Sequence, residues 1–288
     1  MTHITRAALA LSLLIPCLSA TAQEPAARVE EPAAETTREP KTIRFPSSDE
    51  LEITADLYLV SKDKQTPFIV LFHQAGWSRG EYLEIAPRLN ELGYNCLAVD
   101  ARSGGEINDV ENETAARADE QELGTNYVDA LPDLIASLEY ARKEHATGKL
   151  IAWGSSYSSA LVLKVAGDKP KLVDGVLSFA PGEYFERFGQ SKDWVQKSAK
   201  HIKVPVFITS AKKEQPNWQP IFDAIPKGNR HFYLPETKGN HGSRALWKKF
   251  KDSAGYWTAV ESFLAESFPV VEKASEGKRD SGESKSIR

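Results

Sequence analysis

Residues 150–168 read LIAWGSSYSSALVLKVAGD. A short apolar run, Leu150-Ile-Ala-Trp153, gives way to Gly154-Ser-Ser-Tyr-Ser158 and then to a helical run from Ala160 to Ala166. A strand that turns this sharply into a helix needs small residues two before and two after its apex, because the two backbones approach there. Gly154 and Ser158 meet that need around Ser156. Ser155 does not qualify, since Trp153 and Tyr157 stand at the same offsets from it. The stretch therefore predicts Ser156 as a nucleophile on a strained turn; the plainer reading is a Gly/Ser turn that caps a helix.

Outward from this turn the chain alternates between apolar runs and helical stripes. Residues 42–45 and 51–60 alternate apolar and polar side chains across Pro46-Ser-Ser-Asp49, which predicts an antiparallel hairpin. The runs at 68–72, 96–99, 150–153, 175–179, 206–209 and 231–234 are more continuously apolar, as strands covered on both faces are. Leu83, Ala86, Leu89 and Leu92 mark one helical stripe, and Leu131, Leu134, Ile135, Leu138 and Ala141 another. Pro132 stands near the start of the second, where proline is tolerated. A last long helix is expected over 245–268. The order is that of an α/β chain, a mostly parallel sheet opened by an antiparallel hairpin with helices on both faces. In such sheets ligands bind beyond the carboxyl ends of the strands, so the chemistry is to be sought in the residues that follow each run.

A serine is a weak nucleophile without a base. The chain has six histidines, the first of them His3 in the apolar leader; the others are His73, His145, His201, His231 and His241. His145 ends a charged helix, His201 lies in a polar connector and His231 begins a strand. His241 lies in Lys238-Gly-Asn-His-Gly242, a flexible loop directly after the last strand, and is the candidate base. A carboxylate is needed to orient the imidazole and stabilise its charged form. Glu214, in Ser210-Ala-Lys-Lys-Glu214, is the candidate; Glu183, in Ser178-Phe-Ala-Pro-Gly-Glu183, is the rival. Oxyanion-hole donors are expected from the N–H of Tyr157 and from the loop His73-Gln-Ala-Gly-Trp77, where Ala75 is the choice and Gln74 the alternative. His73 itself reads as a brace of that loop.

With these pieces in place the chain resembles the α/β-hydrolase superfamily, most closely its dienelactone-hydrolase-like and small carboxylesterase branch. The resemblance spans residues 42–268. It rests on His73-Gln-Ala-Gly76, Asp100-Ala-Arg-Ser-Gly-Gly105, Gly154-Ser-Ser-Tyr-Ser158 and Gly239-Asn-His-Gly242. The order Ser156, Glu214, His241 follows that of the superfamily. The resemblance implies the α/β-hydrolase fold with an eight-stranded sheet, no cofactor and no metal. It also implies an acyl-enzyme route, in which Ser156 attacks the carbonyl of a small-molecule ester, His241 acts as base and water releases the acid. Three departures stand out. Dienelactone hydrolases proper use a cysteine nucleophile, so the lactone substrate is not carried over; the acid is Glu where Asp is commoner; and Ser158 replaces the second glycine. A catalytically silent binding module, or an acyltransferase or peptidase using the same residues, shares the frame.

Composition sets the remaining bounds. The chain has 288 residues, 41% hydrophobic and 26% charged, with a net charge of −4. That apolar content rules out wholesale disorder, and the mild acidity lacks the basic face of a nucleic-acid binder. Two cysteines cannot make a disulfide scaffold or a cysteine zinc site, and Cys96, in an apolar run, reads as a buried inert thiol. Residues 1–22 carry Arg6, an apolar run at 7–16 too short to span a bilayer, and Ala20-Thr-Ala22. They predict a cleaved signal and a periplasmic or extracellular protein. Residues 23–41, rich in Pro, Ala and Glu, predict a solvated tether, and 270–288 a charged tail, which leaves 42–269 as one domain. The polar insert at 103–126 follows a strand end. It is expected either to overhang the site and select against anionic substrates or to be a solvated connector, and its spacing is not that of an EF-hand.

Overall fold

Phe68-Ile-Val-Leu-Phe72 turns Phe68, Val70 and Phe72 to one apolar core and Ile69 and Leu71 to another, the period of two that a strand imposes. Every residue of it is buried, so it lies at the centre of a sheet covered on both faces. The computed structural model describes residues 39–270. In chain order they form β1 (Lys41–Pro46), β2 (Glu52–Tyr58), β3 (Phe68–Phe72), α1 (Ile85–Glu91), β4 (Asn95–Val99), β5 (Glu106–Ile107), β6 (Val110–Glu111), α2 (Glu113–Glu120), α3 (Leu131–Glu144), β7 (Leu150–Ser155), α4 (Tyr157–Asp168), β8 (Gly175–Phe179), α5 (Trp194–Ala199), β9 (Val206–Thr209), α6 (Gln215–Ala224), β10 (Arg230–Tyr233) and α7 (Ser253–Ser267). The expected signal at 1–22, nearly all of the tether and all but the first residue of the tail fall outside the described residues.

Eight strands make one sheet in the order β1-β2-β4-β3-β7-β8-β9-β10. The pairs β1–β2 and β2–β4 are antiparallel and the rest are parallel, so the expected antiparallel hairpin opens a mostly parallel sheet. The short β5–β6 pair stands apart. Ile85, Ala86 and Leu89 of α1 and Val260, Phe263 and Leu264 of α7 fill the core on one face. Leu134 and Leu138 of α3, Leu161 to Leu163 of α4, Val195 of α5 and Trp218 and Ile221 of α6 fill the other. Because β3 lies between β4 and β7, the chain leaves the middle of the sheet in both directions. The crevice at such a switch point is where ligands bind in open α/β sheets.

Two helical expectations need correction. Leu83 is 41% exposed, and the buried stripe is Tyr82, Ile85, Ala86 and Leu89. A 3-10 turn at Arg79–Tyr82 precedes α1, and its tighter winding shifts the phase of the buried face. The last helix begins at Ser253, not near 245. Ser243–Leu246 is a separate 3-10 turn and Trp247 is extended, its indole donating to Glu81 O at 2.9 Å.

Arg102, from the Asp100–Gly105 motif, has a structural task. Its side chain is 4% exposed and pairs with Asp133, which is fully buried, and with Asp49 in the middle of the β1–β2 connection, both at 2.6 Å. Asp133 also accepts from Arg102 N, so two elements distant in sequence are joined by one guanidinium. Arg102→Met strands the Asp133 charge, and urea unfolding is expected to show a loss of about 3–5 kcal/mol. Pairing it with Asp133→Leu should recover most of that loss; a single variant as stable as wild type would refute the assignment.

Candidate active site

The turn at Ser156 is built from both sides. Ser156 has φ 58° and ψ −121°, a conformation a non-glycine residue holds only when its surroundings enforce it. Ser156 N donates to Phe179 O at 2.8 Å. A Cβ on Gly154 would stand 2.5 Å from Ser158 O and from the backbone of Ser159, so only glycine fits there. Ser158, the departure from a second glycine, is put to use. Its hydroxyl accepts from Ser155 N at 2.9 Å and lies 2.8 Å from Phe72 O, tying the turn to β3.

His241 and Glu214 are brought together directly: Nδ1 lies 2.9 Å from Glu214 Oε1. The other carboxylate oxygen accepts from Ala211 N at 3.2 Å, which fixes the carboxylate on its own turn after β9. The histidine loop is docked beside the serine turn. Ser243 N donates to Ser155 Oγ at 2.9 Å, and a Cβ on Gly242 (φ 71°) would meet the same oxygen at 2.5 Å. Ser156 and His241 are not hydrogen bonded to each other; the Tyr184 phenol, which lies near Ser156, donates to Ala180 O at 2.7 Å. Glu183 is engaged elsewhere. Its carboxylate accepts from Val195 N and Gln196 N at 3.0 and 2.8 Å, at the start of α5.

The loop after β3 carries both candidate donors, Gln74 and Ala75. Gln74 N already donates to Glu81 Oε2 at 2.8 Å. His73 is fully buried, and burial lowers its pKa to about 4, so it is neutral. Its Nε2 accepts from Ala101 N at 2.9 Å, which places the proton on Nδ1, 2.8 Å from Gln74 O. The carbonyl of Gln74 and the N–H of Ala75 belong to one planar peptide and point opposite ways. Fixing the carbonyl therefore aims the N–H. Among the described residues neither Ala75 N nor Tyr157 N has a protein acceptor.

The remaining histidines lie apart from this cluster: His145 stacks on Phe68, and His231 packs near Phe263 on β10. Cys96 is buried and burial holds its thiol far above the usual range, as an inert core residue requires. The insert at 103–126 is not a plain solvated connector. Asn112 caps α2, donates to Trp77 O and Ala101 O and has its amide nitrogen 3.0 Å from His73 Nε2, and Glu113 pairs with Arg44 and Arg79. Tyr184, Ser155 and Glu81 are the contributors that sequence reasoning missed. Their only signal was polarity at positions that face inward, which periodicity alone does not separate from surface.

A family model described as serine aminopeptidase, S33, matches residues 63–187, less than half of the chain. That span holds the loop after β3 and the serine turn and ends before Glu214 and His241. No curated protein matches the chain. Among solved structures, an esterase of Pyrococcus furiosus is 17% identical with a TM-score of 0.61, over 79% of this chain and 92% of its own. The Thermogutta terrifontis esterase 2 is 14% identical with a TM-score of 0.60, covering 82% and 98%. Dienelactone hydrolase from Anabaena variabilis is 14% identical with a TM-score of 0.58, covering 80% and 99%. The fold is that of the α/β-hydrolases, as the resemblance implied. Among the described residues no helix is long and apolar enough to cross a membrane.

Proposed function

We propose that this chain is a serine hydrolase that cleaves a carboxylic ester of a small molecule through an acyl-enzyme. The observation that carries the reading is the strained Ser156 turn at the same end of the sheet as the His241–Glu214 pair. With Nδ1 committed to Glu214, Nε2 of His241 is left as the acceptor for the Ser156 proton. That hydrogen bond forms on substrate binding, since such contacts tighten in the substrate complex. Ser156 Oγ then bonds to the carbonyl carbon, and the developing oxyanion is received by the N–H groups of Ala75 and Tyr157. The imidazolium returns its proton to the departing alcohol, and a water activated by the same ring releases the acid. Amide substrates are the second reading, favoured by the peptidase description of the matched family model. The leader at 1–22 supports the further proposal that the protein is exported.

A fluorophosphonate probe tests the central claim. The full chain is expected to be labelled stoichiometrically and Ser156→Ala not at all. A folded wild-type protein that stays unlabelled would sink the hydrolase reading and favour a binding module. Parallel turnover of a p-nitrophenyl ester and an aminoacyl p-nitroanilide separates the ester from the amide substrate.

A further inference from the structure

Glu81 is a fully buried carboxyl on the 3-10 turn Arg79–Tyr82, outside the residues assigned to the reaction. Its oxygens reach two different parts of the site. Oε2 accepts from Gln74 N at 2.8 Å, in the loop that presents Ala75; Oε1 lies 2.7 Å from Ser155 Oγ, in the turn that presents Ser156. Ser155 Oγ accepts in turn from Ser243 N at 2.9 Å, two residues beyond His241. One carboxylate and one hydroxyl thus join the three chain segments that carry the oxyanion donor, the nucleophile and the base.

We propose that Glu81 is a positioning residue of the hydrolytic site: its carboxylate, through Gln74 N and Ser155, holds the oxyanion loop, the serine turn and the histidine loop in register. The inference rests on the hydrolase reading above. Proton counting shows which form of Glu81 does this. As a carboxylate it accepts from Gln74 N–H and from the Ser155 hydroxyl, which leaves the Ser155 oxygen to accept from Ser243 N–H, so every hydrogen has an acceptor. A proton added on Oε1 points at Ser155 Oγ and strands the hydrogen of that hydroxyl. Protonation therefore loosens the junction.

The groups that face Glu81 are His241 on the loop after β10, Arg244 on the 3-10 turn Ser243–Leu246, its neighbour Tyr82, and Tyr157 at the start of α4. Burial raises the Glu81 carboxyl to about 7, against the pull of Ser155, Gln74 N, His241 and Arg244. The junction is complete above that pH and is lost as pH falls through it. Protonation of Glu81 then contributes to the acid limb of kcat/KM.

Glu81→Gln keeps the volume and removes this ionisation. With a p-nitrophenyl ester, kcat is expected to fall roughly 100-fold, the cost of a small misplacement of reacting groups, with KM little changed. The acid limb of log kcat/KM should become shallower by one proton. A merely structural role would lower stability and leave that slope alone. Wild-type kcat and an unchanged limb in folded Glu81→Gln overturn the proposal. If that variant does not fold, Ser155→Ala cuts the same junction, and a wild-type kcat in it overturns the proposal equally. A wild-type protein that reacts with neither ester nor fluorophosphonate refutes the hydrolase reading instead, so the two failures are distinct.

Discussion

Ser156→Ala is expected to lower kcat on an ester substrate by roughly a millionfold, the loss seen when the nucleophile of such a triad is removed. No neighbour can take over. Ser155 has its hydroxyl 2.7 Å from the buried Glu81 carboxylate, and Ser158 is fully buried with its hydroxyl 2.8 Å from Phe72 O. The protein itself should survive the change. Alanine keeps the strained conformation, because the turn is enforced by Ser156 N on Phe179 O and by the close approach at Gly154, not by the Ser156 side chain. Ser156→Gly separates the two effects. It should be as inactive as alanine yet more stable by about 1 kcal/mol, because glycine adopts a positive φ without strain. Steady-state turnover with thermal melts of the three proteins checks this, and an alanine variant retaining even a hundredth of the activity would assign the nucleophile elsewhere.

The second large effect distinguishes the two glutamates. Glu214→Gln should lower kcat roughly 10,000-fold, since an amide at that place leaves the imidazole in the wrong tautomer and its charged form unsupported. Glu183→Gln should leave kcat within a small factor and cost about 1 kcal/mol of stability, because it weakens only the carboxylate at the N-terminus of α5. The reverse pattern, a crippled Glu183 variant and an active Glu214 variant, would move the acid to the strand before. Measuring kcat alongside urea midpoints separates the two roles.

These assignments show where sequence reasoning reaches its physical limit. The inner strand runs were legible because both faces of the sheet are buried there, so such a strand reads as a short apolar block, as Phe68–Phe72 does. Ser156 was legible because a sharp turn admits so few residue types at Gly154 and Ser158. Glu214 and His241 followed from strand order. What escaped depends on contacts between segments far apart in the chain. Nothing near Leu83 announces that the helix phase shifts there, and nothing near Ser243 announces that Trp247 leaves the helix to reach Glu81. The replacement of a glycine by Ser158 looked like a defect in one dimension. In three it is a hydroxyl bridging two strands. Glu81 carries no local signal beyond its polarity, because its side-chain partners lie at Gln74 and Ser155.

The docking of Ser243 on Ser155 joins residues 88 apart in sequence. It has a consequence for how such a chain is made. A ribosome that has released only the residues up to β8 has already delivered Ser156 and both proposed oxyanion donors, but neither Glu214 nor His241. Parallel strands pair late because long connections must close first. With the proposed roles, Ser156 then has no base until β9 and β10 have added to the sheet and the loop between β10 and α7 has settled against the turn. On the proposed mechanism, reactivity is expected only with the last third of the chain, so a nascent or truncated molecule is silent without any inhibitor to restrain it.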